Sequence, residues 1–285
     1  MIDDFKIQWF PGHMTKARRM MEEQVKLVDV VVEMLDARIP QSSTNPLLNQ
    51  IIGSKPKVIA LNKVDMADSA QTEIWMETFK AAGLPVVKVD CAKGRGVKEL
   101  LVKVQEAAKP VLEKWFKKGV RNRSTRVMIV GIPNVGKSTL INRWVGKNKV
   151  NAENRPGVTR GQQWVTIAKG LELLDTPGVL WPKFDDPKVG FALAVTGAIK
   201  EDVFDRTLAA ELLAEWLLQN SPELLNNGYG VDLGAGNTYT EALEAIARKR
   251  GWIRVGGLVD RERTEMMLLR DFRNGKLGRI TIDRK

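Results

Sequence analysis

Between residues 28 and 175, short apolar runs rich in β-branched residues alternate with stretches whose apolar positions recur every three to four residues. The runs are VDVVVEML, KVIALNK, VVKVD and RVMIVG. Strands apolar on both faces and separated by amphipathic segments predict an α/β fold, a mostly parallel sheet with helices on both faces. QQWVTIA and LELLDTPG, separated by Lys169-Gly170, predict an antiparallel hairpin on one edge of that sheet. Beyond about residue 199 the β pattern stops. DRTLAAELLAEWLLQ, TYTEALEAIARKR and DRERTEMMLLRDFRNG repeat apolar positions at helical spacing, with SPELLNNGYGVDLGAGN and GWIRVGG reading as breaks between them. Two domains are expected, an α/β domain over 1–198 and a small helical domain over 199–285. In the latter, Trp216, Met266 and Met267 read as core residues.

A chain of 285 residues with 44% hydrophobic content supplies a sizeable core. No run of about 18 apolar residues occurs, and the N-terminal MIDDFKIQWF is acidic and aromatic where a leader would be basic and then apolar. A cytoplasmic protein without a membrane partner is expected. The lone Cys91 excludes an intramolecular disulfide framework, and one His with one Cys argues against a zinc cluster. The net charge of +11 is concentrated: residues 109–149 hold eleven Lys or Arg against one acid, and 248–285 hold twelve against five. Clustering of this kind points to a polyanionic partner such as nucleic acid, or to a solvated face that aids solubility.

GIPNVGKS, Gly131 to Ser138, follows the strand RVMIV and precedes the helical STLINRWVG, the context a phosphate-binding loop requires. Backbone N–H groups from Asn134, Val135 and Gly136 through Thr139 would cradle phosphates, Lys137 would reach the β and γ oxygens, and the Ser138 hydroxyl would ligate Mg2+. DTPG follows about forty residues later. Its Asp175 would hold the same metal and its Gly178 N–H would meet the γ-phosphate. Between them lies RPGVTRG, whose Thr159 is either the residue that closes over metal and γ-phosphate or an ordinary loop threonine.

In LNKVD, Asp65 can accept from both guanine donors while Asn62 braces the loop and the Lys63 stem covers the base. A buried carboxylate left unpaired by adenine would reject it by roughly 10⁴-fold. DCAK, Asp90 to Lys93, offers the Ala92 N–H to the guanine carbonyl, with Cys91 and Lys93 beside it. Cys91 reads as a small packing residue. A GTP/GDP site is therefore complete, in the order base, base, phosphate, switch, metal. Joining old termini through PVLEKWFKKGVRNRST and reopening the chain after DTPG preserves every strand neighbour, so a parallel sheet permits this order.

With WFPGHM, LDARIP, NKVD, DCAK, GIPNVGKS, PGVTRG, DTPG and the tail's DFRNGKLGR in this permuted order, the chain resembles the circularly permuted P-loop GTPases, within them the ribosome biogenesis GTPase A (YlqF-type) group. The resemblance implies a GTPase that binds the large ribosomal subunit and its rRNA, assists late assembly, and hydrolyses GTP faster when bound there. It is expected to act as a monomer. Val179 stands where Ras-like switches carry the water-orienting Gln, so another group must orient water. By resemblance His13 of WFPGHM belongs to the site; it either reaches the γ-phosphate or caps and packs the first helix. Asn134 matches the position that ligates K+ in GTPases activated by that ion, or else braces the backbone.

For RNA contact the favoured residues are Arg248, Lys249, Arg250, Arg270, Arg273 and Lys276, and secondarily Lys117, Lys118, Arg121 and Arg123. Two other functions compete with the ribosomal one: a non-enzymatic, GTP-dependent RNA-binding module, and a GTPase acting on tRNA or a membrane partner.

Overall fold

Val30–Asp36 (β1) is seven residues long and every one is buried. So are all six of Lys57–Asn62 (β2). Only a central strand covered on both faces tolerates this composition. The computed structural model describes residues 2–7, 19–121, 123–145, 164–174 and 186–285. With Val86–Lys88 (β3), Thr125–Gly131 (β4), Trp164–Ala168 (β5) and Leu171–Leu174 (β6), these strands form one sheet in the order β3-β2-β1-β4-β6-β5. All pairings are parallel except β5 with β6, the expected edge hairpin.

The order explains how the permuted motifs meet. β1 pairs with both β2 and β4, so the strand ending in Asn62 and the strand ending in Gly131 are separated by one neighbour, and both run the same way. The loops that follow them open on one edge of the sheet, where α/β folds bind ligands.

Helices cover both faces. Alternation along β1, β2 and β4 puts Val31, Leu35, Ile59, Leu61, Met128 and Val130 on one face. There they pack against residues 19–25, Leu48–Ile52 (α1) and Ser69–Ala81 (α2) in two apolar clusters. Between the clusters lies a buried ion pair, Lys57 Nζ to Glu33 Oε2 at 2.8 Å; Asn49 also accepts from Lys57, and Glu33 accepts from the Asn45 N–H. The other face is covered by Val97–Lys117 (α3), through Val97, Leu100, Val104 and Ala108, and by Lys137–Val145 (α4), through Leu140 and Trp144. α3 continues through Pro110 into PVLEKWFKKGVRNRST, the segment read as the joint between old termini, and its buried face ends at Ala108.

The chain divides into two compact units, Phe10–Lys183 with Asp283–Lys285, and Met1–Trp9 with Phe184–Ile282. The division falls earlier than residue 199. Its reason is Pro187–Val195 (α5), in which Phe191, Leu193 and Val195 are buried among the other helices. Phe5 joins the same unit edge-on against Phe191, with centroids 6.1 Å apart. The rest of this unit is Arg206–Asn220 (α6), Pro222–Tyr229 (α7), Tyr239–Arg250 (α8) and Arg261–Arg273 (α9).

α7 lies in a stretch read from sequence as a break. Pro222 occupies the first turn, where a missing N–H is harmless, and Gly230 ends the helix in the left-handed region at φ 72°. Leu225 and Tyr229, one turn apart, supply its buried face. Of the residues read as core, Trp216 and Met267 are half-buried and Met266 is 43% exposed. In α9 the interior belongs instead to Leu268, Leu269 and Phe272.

Candidate nucleotide-binding site

Asn62, at the end of β2, is 3% exposed and holds three loops together. Its Nδ2 donates to the Val135 carbonyl in the phosphate loop at 2.7 Å, and its Oδ1 accepts from the Cys91 N–H in DCAK at 3.0 Å. Gly136 makes this approach possible. At φ 110° it sits where side chains are rare, and a Cβ there would lie 2.4 Å from the Asn62 amide nitrogen.

Lys63 adopts φ 63°, the left-handed conformation, which turns the chain sharply after the strand. Its ammonium lies 2.8 Å from Asp36 Oδ2, and Asp36 is itself gripped by Arg38 through Nε at 2.9 Å and Nη2 at 2.7 Å. Asp36 and Arg38 are each 1% exposed. Burial opposes ionisation of Asp36, but the charges of Arg38 and Lys63 outweigh it and hold the carboxyl well below the usual carboxylate range. Burial pushes Lys63 below the ordinary lysine value, against the pull of Asp36. Ser43 Oγ accepts from the Asp36 N–H at 3.1 Å, and the neighbouring Ser42 is held by Asp283, which accepts from its N–H at 2.7 Å and its hydroxyl at 2.8 Å. Asp65 is 21% exposed, and its Oδ2 lies 3.6 Å from the Lys93 ammonium.

On the phosphate side, Asn134 also takes a positive φ, 58°. Lys137 Nζ donates to the carbonyls of Gly131 at 2.9 Å and Ile132 at 2.7 Å. Burial pushes the Lys137 pKa down to about 8. Ser138 and Thr139 are exposed on the first turn of α4.

The DCAK loop is fixed from two sides. Asp90 Oδ1 accepts from the Lys93 N–H at 2.9 Å. From α4, Arg143 donates to the Cys91 carbonyl at 3.1 Å and to the Ala92 carbonyl, while Trp144 Nε1 donates to Val97 O at 3.2 Å. Ala92 is exposed, and Cys91 is buried, its thiol pushed up to about 12 by burial and by Asp90. A thiol that reluctant to ionise is no nucleophile at neutral pH.

The structure thus brings together Asn62, Lys63, Asp65, Cys91, Ala92, Lys93 and the loop from Asn134 to Thr139. His13, Thr159, Asp175, Gly178 and Val179 lie outside the described residues. Arg38, Arg143 and the positioning role of Asp36 were not read from sequence; a charged pair at the end of a mostly apolar strand, in LDARIP, was the available signal.

Residues 126–215 match the family described as 50S ribosome-binding GTPase. Ribosome biogenesis GTPase A of Priestia megaterium is 45% identical over 278 residues, covering 97% of this chain and 96% of that protein. Its namesake from Thermotoga maritima is 33% identical, covering 98% and 94%. The chain belongs to the ribosome biogenesis GTPase A family. It is a GTPase of ribosome biogenesis, built on a P-loop domain with a helical C-terminal region. The GDP-bound structure of TM YlqF superposes with a TM-score of 0.67 at 29% identity, covering 93% of this chain and 99% of that one. GNP-bound YlqF from T. maritima gives 0.65 at 29%, covering 94% and 98%.

GTPases of this kind work with Mg2+. Among the described residues no group of three or more His, Cys, Asp or Glu is placed to hold a metal. The exposed Ser138 hydroxyl, beside Lys137, is the type of hard oxygen donor that Mg2+ accepts while phosphates and water complete its shell. No helix among the described residues is long and apolar enough to cross a membrane.

Proposed function

We propose that this GTPase is a cytoplasmic, monomeric switch that binds the large ribosomal subunit through its rRNA and assists late assembly, hydrolysing GTP slowly alone and faster on the particle. The observation that supports it most is the Asn62 amide, which joins the base-reading and phosphate loops into one site. A site preset in this way is ready for a whole guanine nucleotide.

Asp65 reads the two guanine donors, the Lys63 stem lies along the base, and the Ala92 N–H meets the carbonyl oxygen. Lys137 leaves the carbonyls of Gly131 and Ile132 for the β and γ oxygens. Ser138, Asp175 and Thr159 hold Mg2+, which supplies charge neutralisation at the phosphates when bound. His13 orients the attacking water, since Val179 is aliphatic, and Asn134 offers its side chain to K+. Lys249 and Arg270, exposed on α8 and α9, meet rRNA phosphates. Arg273 and Arg250 serve the fold instead: Arg273 donates to the Val195 and Ala194 carbonyls, and Arg250 donates to Gly228 O.

Phosphate release with and without purified large subunits, alongside gradient co-sedimentation of the GTP-bound form, tests the reading. Stimulation and co-sedimentation are expected. Equal rates with no co-sedimentation overturn it, and unchanged particle-stimulated turnover in His13→Ala removes His13 from its role.

A further inference from the structure

Past Pro110, α3 leaves the core that its first three turns help to build. Its last turn carries Trp115 and Phe116, and Phe116 is 63% exposed. Together with Leu112 and the 38%-exposed Val120, these rings line an open groove of ≈ 490 Å³ on the GTPase unit. Cations surround the rings. Arg123 lies over Trp115 with its guanidinium 4.5 Å from the centroid, Lys118 over the same ring at 5.6 Å, and Arg121 over Phe116 at 5.8 Å.

Arg123 is pinned. Its Nη1 donates to both carboxylate oxygens of Asp29, at 2.9 and 2.8 Å, so Trp115 stacks against a fixed plane. Phe116, Lys117, Lys118 and Arg121 remain exposed around it. Among the described residues of the lining, Glu113 is the one carboxylate.

We propose that this groove is a docking site for unpaired RNA, with a base stacked on Phe116 and flanking phosphates held by Lys117, Lys118 and Arg121. The proposal rests on the reading that this GTPase binds rRNA. Three features favour RNA. An exposed aromatic face beside a rigid cation–aromatic stack offers a base a sequence-tolerant platform. The adjoining segment, 109–126, holds seven Lys or Arg against one acid, which suits a polyanion. A duplex keeps its bases stacked inside, so a ring-lined groove selects single strands, loops or bulges.

Position separates this site from the nucleotide. The groove lies where the chain enters β4, and the phosphate loop lies where it leaves. RNA can therefore occupy it while GTP is bound.

Fluorescence anisotropy of the full chain with a labelled single strand of about ten nucleotides, an abasic strand of equal length and a duplex tests the proposal. The single strand should bind tightest. Phe116→Ala should weaken it roughly tenfold with the salt dependence unchanged, and Phe116→Tyr should retain binding. Replacing Lys117 and Lys118 together by Ala should lower the slope of log affinity against log salt by about 1.4. GTP affinity and melting temperature should not move in any variant, since all three side chains are exposed. Wild-type RNA affinity in Phe116→Ala, equal binding of the abasic strand or the duplex, or equal displacement by polyglutamate would overturn the groove as a base site. Large-subunit co-sedimentation in parallel keeps the two readings apart. Wild-type protein that fails to co-sediment overturns the ribosomal reading and leaves anisotropy to judge the groove, whereas normal co-sedimentation with an inert Phe116→Ala overturns the groove alone.

Discussion

In the GTPase unit, the buried polar side chains Asn62 and Asp36 sit at the ends of strands and reach into loops, while in the helical unit Glu265 and Asp271 sit within a helix and reach other helices. Glu265 on α9 accepts from Thr207 of α6 at 2.8 Å and from Tyr239 at the start of α8 at 2.7 Å. Tyr229 of α7 donates to Asp271 at 3.2 Å. Buried polar groups need partners in both units. The difference is what the partner does next: a loop positioned by Asn62 can meet a ligand, whereas a helix tied by Glu265 only holds its neighbours. Loss of the first kind should be felt in binding, and loss of the second in folding.

The largest test of that contrast is Asp65→Asn. On the proposed reading it removes two charge-assisted hydrogen bonds to guanine, each about 1.5–3 kcal/mol, so GTP affinity by calorimetry should fall roughly 10³-fold while the unfolding midpoint stays put. A matching loss of stability would break the distinction. Asn62→Ala deletes both loop contacts and leaves the Cys91 N–H unpaired, and affinity for GDP and GTP alike should fall about a hundredfold. Glu265→Ala is the counterpart in the helical unit. Denaturant unfolding should lose about 2 kcal/mol, with the GTP dissociation constant unchanged.

The smallest effect sharpens the picture through pH. Below about pH 8 Lys137 is charged with or without nucleotide; above it the nucleotide-free lysine has shed its proton, while phosphates keep the bound one charged. Binding then takes up a proton, so GTP affinity should fall by at most about tenfold per pH unit above 8. Stability of the nucleotide-free protein moves the other way. Its folded state binds fewer protons than the unfolded chain between about 8 and 10.5, so stability should rise across that window. Calorimetry in buffers of different ionisation heat detects the proton, and Lys137→Ala should abolish it.

Most of the sheet was legible because each strand announces itself locally, as a short apolar run closed by a loop whose chemistry tolerates few residues. Gly136 is such a case: nothing larger fits against Asn62, so the pattern that encodes the loop is also the one that builds it. α7 was missed because Asn226-Asn227-Gly228 has poor helix propensity, and only the spacing of Leu225 and Tyr229 against other helices overrides that. The Asp36–Arg38–Lys63 cluster, the Arg143 clasp on DCAK and the Glu33–Lys57 pair were not legible as contacts. Each joins residues whose partnership is fixed by strand register or helix placement, and neither periodicity nor composition marks which charges will meet. The failure of Met266 as core has a similar origin, since helical spacing alone did not say which side of α9 faces inward.

The link between Asn62 and Val135 spans 73 residues, and that separation matters during synthesis. At about 5–20 residues per second, the amide is made roughly 4–15 s before the carbonyl it binds. For most of that interval β4 does not exist, and β1, mostly apolar and buried along its whole length in the finished fold, has its second edge unpaired. An unfinished edge is a template for sticking to other chains. Here that edge lies in the middle of the sheet, so the nascent protein is most adhesive when the half that carries Asn62 is complete and the half that carries the phosphate loop is still unmade.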